Sequence, residues 1–499
     1  MNNLIKHRLD PGFIGLVLIL LLGSVYRALA LHWSGLNLYV DEAQYWTWAQ
    51  ALDWGYYSKP PVIAALIAAT TRVFGDTELA VKSGALLLYP FTTLALYALA
   101  RRLFDARIAF WTALTFFTLP GVAFSSLIIS TDVPLFLCWT IALYALHRAV
   151  SKDDWLWWLL LGIACGVGLL TKYTMGIFAV STLLWFALAP NLRSQFRKPG
   201  PYLTAAVAAV IFSPNLWWNH THGWPTFQHT AEISNLEAGP GLHWDELLEF
   251  LSGQAAIMGP VLFIALLVLI GRLRSWWRNP TSVFLACFTL PFLLLISVQA
   301  LLGRANANWA AMTYAAGTLW VVSWLLQCHR RGVVVAGLVI NLMAMIAAYH
   351  YHAIAHATGR ELTSKTDYYK RVQGWDVLGQ KVAVLLSEQP DTLLLSNERD
   401  TMSELAYYAR PYSAGAVLWN PQHRVTNHYE LVTRMSGKGG YDFIFLSRDT
   451  TLPDGMADSF LSNQRLSDLK VPVVPGWSLD YRVWRLSGFI GYPMAAPLK

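Results

Sequence analysis

Apolar runs separated by short polar breaks fill residues 13–350, and this pattern constrains the fold more than any other feature of the chain. Candidate spans lie at 13–31, 79–100, 107–129, 133–147, 155–170, 175–190, 202–218, 251–270, 281–302, 308–326 and 332–350. A run of this length with few charges buries its backbone polar groups in a helix and its side chains in lipid. The composition agrees. Only 13% of the 499 residues are charged, against about 25% in soluble domains. The 23 tryptophans suit interfacial belts. The expectation is a polytopic α-helical membrane protein with about 11–13 transmembrane helices.

Loop charge orients the spans. Lys6/Arg8, Arg101/Arg102/Arg107, Arg148/Lys152, Arg193/Arg197/Lys198, Arg272/Arg274/Arg278 and Arg330/Arg331 fall on one side if the short apolar segment 61–75 does not cross. That side is then cytoplasmic. The segment 61–75 is read as a juxtamembrane helix. The outer face receives the loops 32–78 and 219–250, Thr131-Asp132, Thr171-Lys172-Tyr173, Arg304 and the C-terminal region. Composition changes after about residue 352. Short β-like runs at 391–397, 441–447, 471–474 and 481–486, with a helical stretch at 403–411, predict a small α/β domain over 353–499. The domain division is 1–352 for the membrane part and 353–499 for the outer domain. The expected location is the cell inner membrane, with the N-terminus cytoplasmic and the C-terminal domain periplasmic.

The net charge of +7 does not point to nucleic acid, because most arginines sit between apolar segments, where topology accounts for them. No Gly-rich phosphate loop or nucleotide fingerprint is present, which argues against a nucleotide-linked substrate. Cys138, Cys165, Cys287 and Cys328 form no CxxC pair and read as small buried hydrophobes.

Chemistry concentrates in residues 39–61, YVDEAQYWTWAQALDWGYYSKPP, read as a loop. Asp41 and Glu42 follow the first span, and a carboxylate beside apolar surface suits a general base. The plain alternative is a solvated acidic pair. Tyr45, Trp46, Trp48, Trp54 and Tyr57 supply rings that wall a sugar site or anchor the loop in headgroups. Lys59 precedes Pro60-Pro61, which fix the chain direction, so its ammonium is a held point charge for a phosphate or else a snorkelling side chain. Asp132, in STDVP, is a turn residue that shares the outer face with Asp41. Lys172, Tyr173 and Arg304 bring polar and positive groups to a face that the charge rule leaves poor in them. Arg27, near the outer end of the first span, either snorkels or joins the same site. His220 and His222 could ligate a divalent metal if they lay on a strand. With no third ligand near in sequence, an aromatic-belt role fits them better. No cofactor follows from these residues, and a divalent metal stays an open alternative.

Asp41-Glu42 after the first span, Tyr56-Tyr57-Ser58-Lys59-Pro60-Pro61, and Thr131-Asp132-Val133-Pro134 after the third together resemble the GT-C glycosyltransferases. The matching group contains protein O-mannosyltransferases and the bacterial aminoarabinose transferase of lipid A. The resemblance covers about residues 1–350. The stretches SPNLWWNHTHGWPTFQH and GRANANWAA look like the bacterial branch. It implies an inverting transfer of a sugar from a polyprenyl-phosphate donor on the non-cytoplasmic side. Carried over by motif, Asp41 is the base, Lys59 binds the donor phosphate, and Asp132 shapes the acceptor or sugar pocket. Arg304 and Lys172 are added as donor phosphate contacts, and Glu42, Tyr45, Tyr57 and Tyr173 as pocket residues. The aminoarabinose transferase carries a glutamate where this chain has Ser58, so that residue's role does not carry over. The C-terminal region lacks the lectin-like modules of eukaryotic protein mannosyltransferases, which favours lipid A, lipopolysaccharide core or another envelope glycan as acceptor. The implied partners are the lipid-linked donor, the glycolipid or glycan acceptor and membrane lipid, with the chain acting as a monomer. The alternatives are a protein O-mannosyltransferase-like enzyme, a transporter or flippase of lipid-linked sugars, and a non-catalytic assembly protein. No internal repeat of the transporter kind is evident.

Overall fold

The computed structural model describes residues 11–234 and 241–492. Lys6 and Arg8, used above for orientation, lie outside the described residues, as do residues 235–240 of the 219–250 loop. The first elements are α1 (Pro11–Ser34), α2 (Val40–Gln50), α3 (Val62–Phe74), α4 (Glu78–Leu103), α5 (Ala106–Phe117), α6 (Pro120–Phe124) and α7 (Asp132–Lys152). Helices continue to Ala357, and a five-stranded sheet follows in the C-terminal region.

Two compact units emerge. The first gathers the described residues of Met1–Trp33, Lys59–Leu66 and Lys82–Tyr351; the second gathers those of Ser34–Ser58, Ile67–Val81 and His352–Lys499. The sequence reading kept all of 32–78 with the helices, whereas the compact units divide it. The reason is polar bonding within the second unit. Asn37 Oδ1 accepts from the Trp375 N–H at 2.9 Å, the Leu38 N–H donates to Tyr408 Oη at 2.7 Å, and Arg410 pairs with Asp76 at 3.4 Å.

The first unit is a multi-pass helical assembly. Among the described residues, five helices are long and apolar enough to cross a membrane by length and composition: α1, α4, α7, Pro280–Leu302 and Arg331–Tyr349. A sixth is counted if Trp244–Met258 and Pro260–Gly271, bent by 113°, form one span. Four shorter apolar helices accompany them, among them α3, where the sequence predicted a short helix at 61–75. The expected number counted every apolar stretch, including the shorter helices and stretches that are broken. The 107–129 stretch stops at Phe117 and restarts at Pro120, since proline cannot donate to the helix ladder. The 251–270 stretch turns at Gly259, whose φ is +85°, and a Cβ there would collide with Asn341 Oδ1. Only 28% of the apolar window of α1 is buried, with Leu18, Leu21, Leu22 and Val25 turned outward. An apolar helix with its greasy side uncovered has lipid as its solvent.

Arg27 does not snorkel. It is buried, its Nη2 donates to Phe117 O at 2.6 Å and its Nη1 to Ser126 Oγ at 3.1 Å, and its guanidinium lies 4.1 Å from the Phe117 ring centroid. A cation thus meets the orphan carbonyls at the C-terminus of α5, where the broken span leaves backbone acceptors in an apolar setting.

In the second unit the strands are β1 (Thr392–Ser396), β2 (Val417–Leu418), β3 (Asp442–Ser447), β4 (Phe460–Val474) and β5 (Trp477–Phe489), in the order β2-β1-β3-β5-β4. β1 pairs in parallel with β2 and β3, and β5 runs antiparallel to both β3 and β4. The four β-like runs fall on β1, β3, β4 and β5, and 403–411 overlaps the helix Arg399–Tyr408. Alternation sorts the side chains by face. Leu394, Ile444, Leu446 and Val483 join Trp375, Leu378 and Val382, while Leu395, Phe443, Phe445 and Leu486 join Trp419, Phe460 and Phe489.

Candidate active site

The candidate residues fall into two groups, one in each unit. Asp41, Glu42, Tyr45 and Tyr57 belong to the second. The stretch expected to be a loop is a helix from Val40 to Gln50. Glu42 starts it: its Oε2 accepts the Tyr39 N–H at 2.9 Å, meeting a backbone donor at the helix N-terminus. Aromatics at helical spacing then bury themselves. Tyr45, Trp46, Trp48, Tyr56 and Tyr57 are all buried, whereas Trp54 is exposed. Trp48 and Tyr56 stack with centroids 4.5 Å apart and planes 2° from parallel. Tyr56 Oη donates to the Trp48 carbonyl at 3.2 Å. Together these rings form a buried aromatic plate.

Asp41 stays half-exposed on this helix. Its Oδ1 accepts from Arg399 Nη1 at 3.0 Å, and the same nitrogen donates to Gln44 Oε1 at 2.8 Å. Residues 41 and 44 stand on one helix face, so a single guanidinium nitrogen bridges both. Arg399 was not anticipated from sequence. The available signal was an arginine at the start of a helix, the end that the macrodipole makes unfavourable for a cation.

His428 closes the edge of the aromatic plate, 5.3 Å from Trp48 and 5.5 Å from Tyr56 between ring centroids. Burial pushes its imidazole down to about 4, against a smaller opposing pull from Asp53. The folded protein therefore keeps His428 neutral where the unfolded chain, with an ordinary value near 6.5, takes up a proton. The His428 contribution is fully present above pH 6.5 and is lost as pH falls toward 4, by on the order of 3 kcal/mol. Tryptophan-fluorescence melting at pH 7.5 and 4.5 should show this loss, and His428→Phe should reduce it. An identical acid loss in His428→Phe would remove His428 as its source.

Lys59, Asp132, Lys172, Tyr173 and Arg304 belong to the first unit. Lys59 is half-exposed and the two prolines after it are buried. They lead into α3, whose Val62 N–H donates to Leu170 O at 3.1 Å. Asp132 opens α7, where the helix N-terminus favours its charge. It is buried, and both oxygens are used: Lys172 Nζ donates to Oδ1 at 2.7 Å and Asn308 Nδ2 to Oδ2 at 2.8 Å. Asp132 and Asn308 also border a cavity of about 380 Å³ with otherwise mainly apolar walls, including Leu119, Phe136 and Tyr314. Lys172 thus stands against Asp132. Tyr173 Oη donates to Asn215 Oδ1 at 2.8 Å and accepts from Asn219 Nδ2 at 3.1 Å, with its ring stacked 4.9 Å from Phe227. Arg304 is exposed and lines a separate polar cavity of about 410 Å³ with Glu246, Glu249 and Asn306.

His220 and His222 lie on the helix Pro199–Thr221 and at its C-cap, not on a strand, so i, i+2 spacing does not converge them. His222 stacks on Trp218 at 4.3 Å. Among the described residues, no group of three His, Cys, Asp or Glu side chains gathers where a metal ion would sit.

Residues 58–218 match the family model described as dolichyl-phosphate-mannose-protein mannosyltransferase. The lipid A galacturonosyltransferase RgtD of Rhizobium johnstonii is 32% identical over 427 residues, 83% of this chain and 86% of that protein. An undecaprenyl phosphate-alpha-4-amino-4-deoxy-L-arabinose arabinosyl transferase of Pseudomonas aeruginosa is 28% identical over 52% of this chain and 51% of its own length. Among solved structures, ArnT from Cupriavidus metallidurans in the apo state aligns with a TM-score of 0.62 at 15% identity, covering 95% of this chain and 98% of that one. The same protein bound to undecaprenyl phosphate gives 0.61, with 94% and 98% covered.

Proposed function

This chain belongs to the bacterial GT-C glycosyltransferases, and from that premise we propose that it transfers one galacturonic acid residue from a polyprenyl-phosphate carrier to a hydroxyl of lipid A or the lipopolysaccharide core. The observation that carries this reading is the 32% identity to RgtD over 427 residues, 83% of this chain and 86% of that protein. The reaction takes place on the periplasmic face, with the N-terminus cytoplasmic. The alternation of basic loops supports that orientation.

In this reading Asp41 takes the proton of the acceptor hydroxyl as the acceptor oxygen forms its bond to the sugar's anomeric carbon. The bond from that carbon to the carrier phosphate breaks, and its electron pair leaves on the phosphate oxygen. Lys59 supplies the positive charge that stabilises the departing phosphate. Asp132, held by Lys172 and Asn308, is a preorganised acceptor for a sugar or acceptor hydroxyl at the wall of the apolar cavity. The carrier's isoprenoid tail stays in lipid while its phosphate and sugar sit at the interface.

Mass spectrometry of lipid A, core and glycoprotein fractions from cells with and without this chain tests the assignment. The expected result is one hexuronic acid residue gained on lipid A or core. An aminopentose gained instead would overturn the sugar, a change confined to glycoprotein would overturn the acceptor, and no change in any fraction would overturn the activity.

A further inference from the structure

We infer that Arg399 is a positioning residue that fixes the Asp41 carboxylate in the orientation used for proton transfer. This rests on the reading of Asp41 as the base and adds a residue from the C-terminal domain to that function.

A carboxylate on a half-exposed helix surface turns about two bonds, and a base that turns freely spends little time aimed at its proton. Arg399 removes that freedom. Its Nη1 holds Asp41 Oδ1 at 3.0 Å and is itself located by Gln44 Oε1 at 2.8 Å, and Gln44 is buried. Among the described residues Oδ2 of Asp41 has no such partner, and the side chain keeps 45% of its surface open. One oxygen is pinned and the other left to receive a proton. A charge-assisted bond of this kind is both directional and stronger than a neutral one.

Structural economy does not explain the arginine. It occupies the first turn of its helix, where the macrodipole disfavours a cation. Asp400 beside it, 3.3 Å from Nη2, offsets part of that cost. The two helices are held together without the ion pair. Trp46 packs edge-on against Tyr407 at 5.1 Å, and Tyr429 Oη bridges Thr47 and Ser403. With side chains 37% and 45% exposed, the Arg399–Asp41 pair adds little to stability.

The test is transfer kinetics of full-length Arg399→Ala, Arg399→Lys, Asp41→Asn and Arg399→Ala/Asp41→Asn, with melting curves for each. Arg399→Ala should lower kcat by about 10²-fold, leave the donor KM within about threefold and melt close to the wild type. Added guanidinium ion should restore activity about tenfold or more, and Arg399→Lys should fall between Arg399→Ala and the wild type. The double variant should be no slower than Asp41→Asn alone, as expected when one residue acts only through the other. If Arg399→Ala does not fold, Arg399→Lys decides: a reduced kcat at unchanged KM supports the inference, and wild-type kcat overturns it. A folded Arg399→Ala that transfers at the wild-type rate, changes KM alone or ignores guanidinium also overturns it. If this happens while Asp41→Asn is inactive, the inference fails and the base assignment stands. A fully active Asp41→Asn removes the base assignment itself.

Discussion

Asp41→Asn is expected to lower the rate of sugar transfer by about 10³-fold while the protein folds and binds its donor as before. The substitution is nearly isosteric. The asparagine carbonyl still accepts from Arg399 Nη1, where Asp41 Oδ1 now accepts at 3.0 Å, so the side chain keeps its place on α2. What disappears is the carboxylate's capacity to take a proton, the role proposed for Asp41. The lost ion pair is half-exposed on both sides and contributes less than about 1 kcal/mol to stability. A rate loss of three orders of magnitude therefore cannot come from unfolding. Steady-state transfer from a purified polyprenyl-phosphate sugar, with a melting curve on the same sample, separates the two. Activity within about tenfold of the wild type would show that another group accepts the proton.

The second large effect is expected at Asp132. Its carboxylate is the counter-charge for Lys172, and the side chains are only 8% and 16% exposed. Asp132→Ala leaves an ammonium without its partner in a poorly solvated place and strips Asn308 of its acceptor. Breaking a buried pair from one side costs about 3–5 kcal/mol. Removing both charges together, as Asp132→Ala/Lys172→Met, should recover most of that loss, because neither charge is then stranded. The double variant should remain inactive if Asp132 contributes to the sugar or acceptor pocket. Equal melting temperatures for the single and double variants would show that the pair is not electrostatically coupled. A stable and active double variant would show that the pair serves the fold alone.

The features legible in the sequence were those written in neighbouring residues. Apolar run length and loop charge identified a multi-pass membrane protein, and short β-like runs located β1, β3, β4 and β5 in the C-terminal region. The Asp-Glu, Lys-Pro-Pro and Thr-Asp-Val-Pro segments, in that order, pointed to the family. Local reading failed at α2, where the odd composition of 39–61 masked a helix whose aromatics are mostly core. It also failed at the broken spans, because a glycine or proline inside an apolar run does not say whether the helix kinks or stops. At Gly259 the answer lies with Asn341, a residue far along the chain.

The sequence by itself determined the solvent of the chain, the class of its fold and the kind of residue available for chemistry. These follow from short-range periodicity and from the energy of placing charge in lipid. Only the tertiary structure decided how those residues are used. Arg399 reaches Asp41 across 358 positions, and Asn308 reaches Asp132 across 176. Side chains so distant in sequence leave no local pattern. Their pairing is set by how helices and strands pack, and packing decides which carboxylate is pinned with one oxygen free and which is buried between two donors.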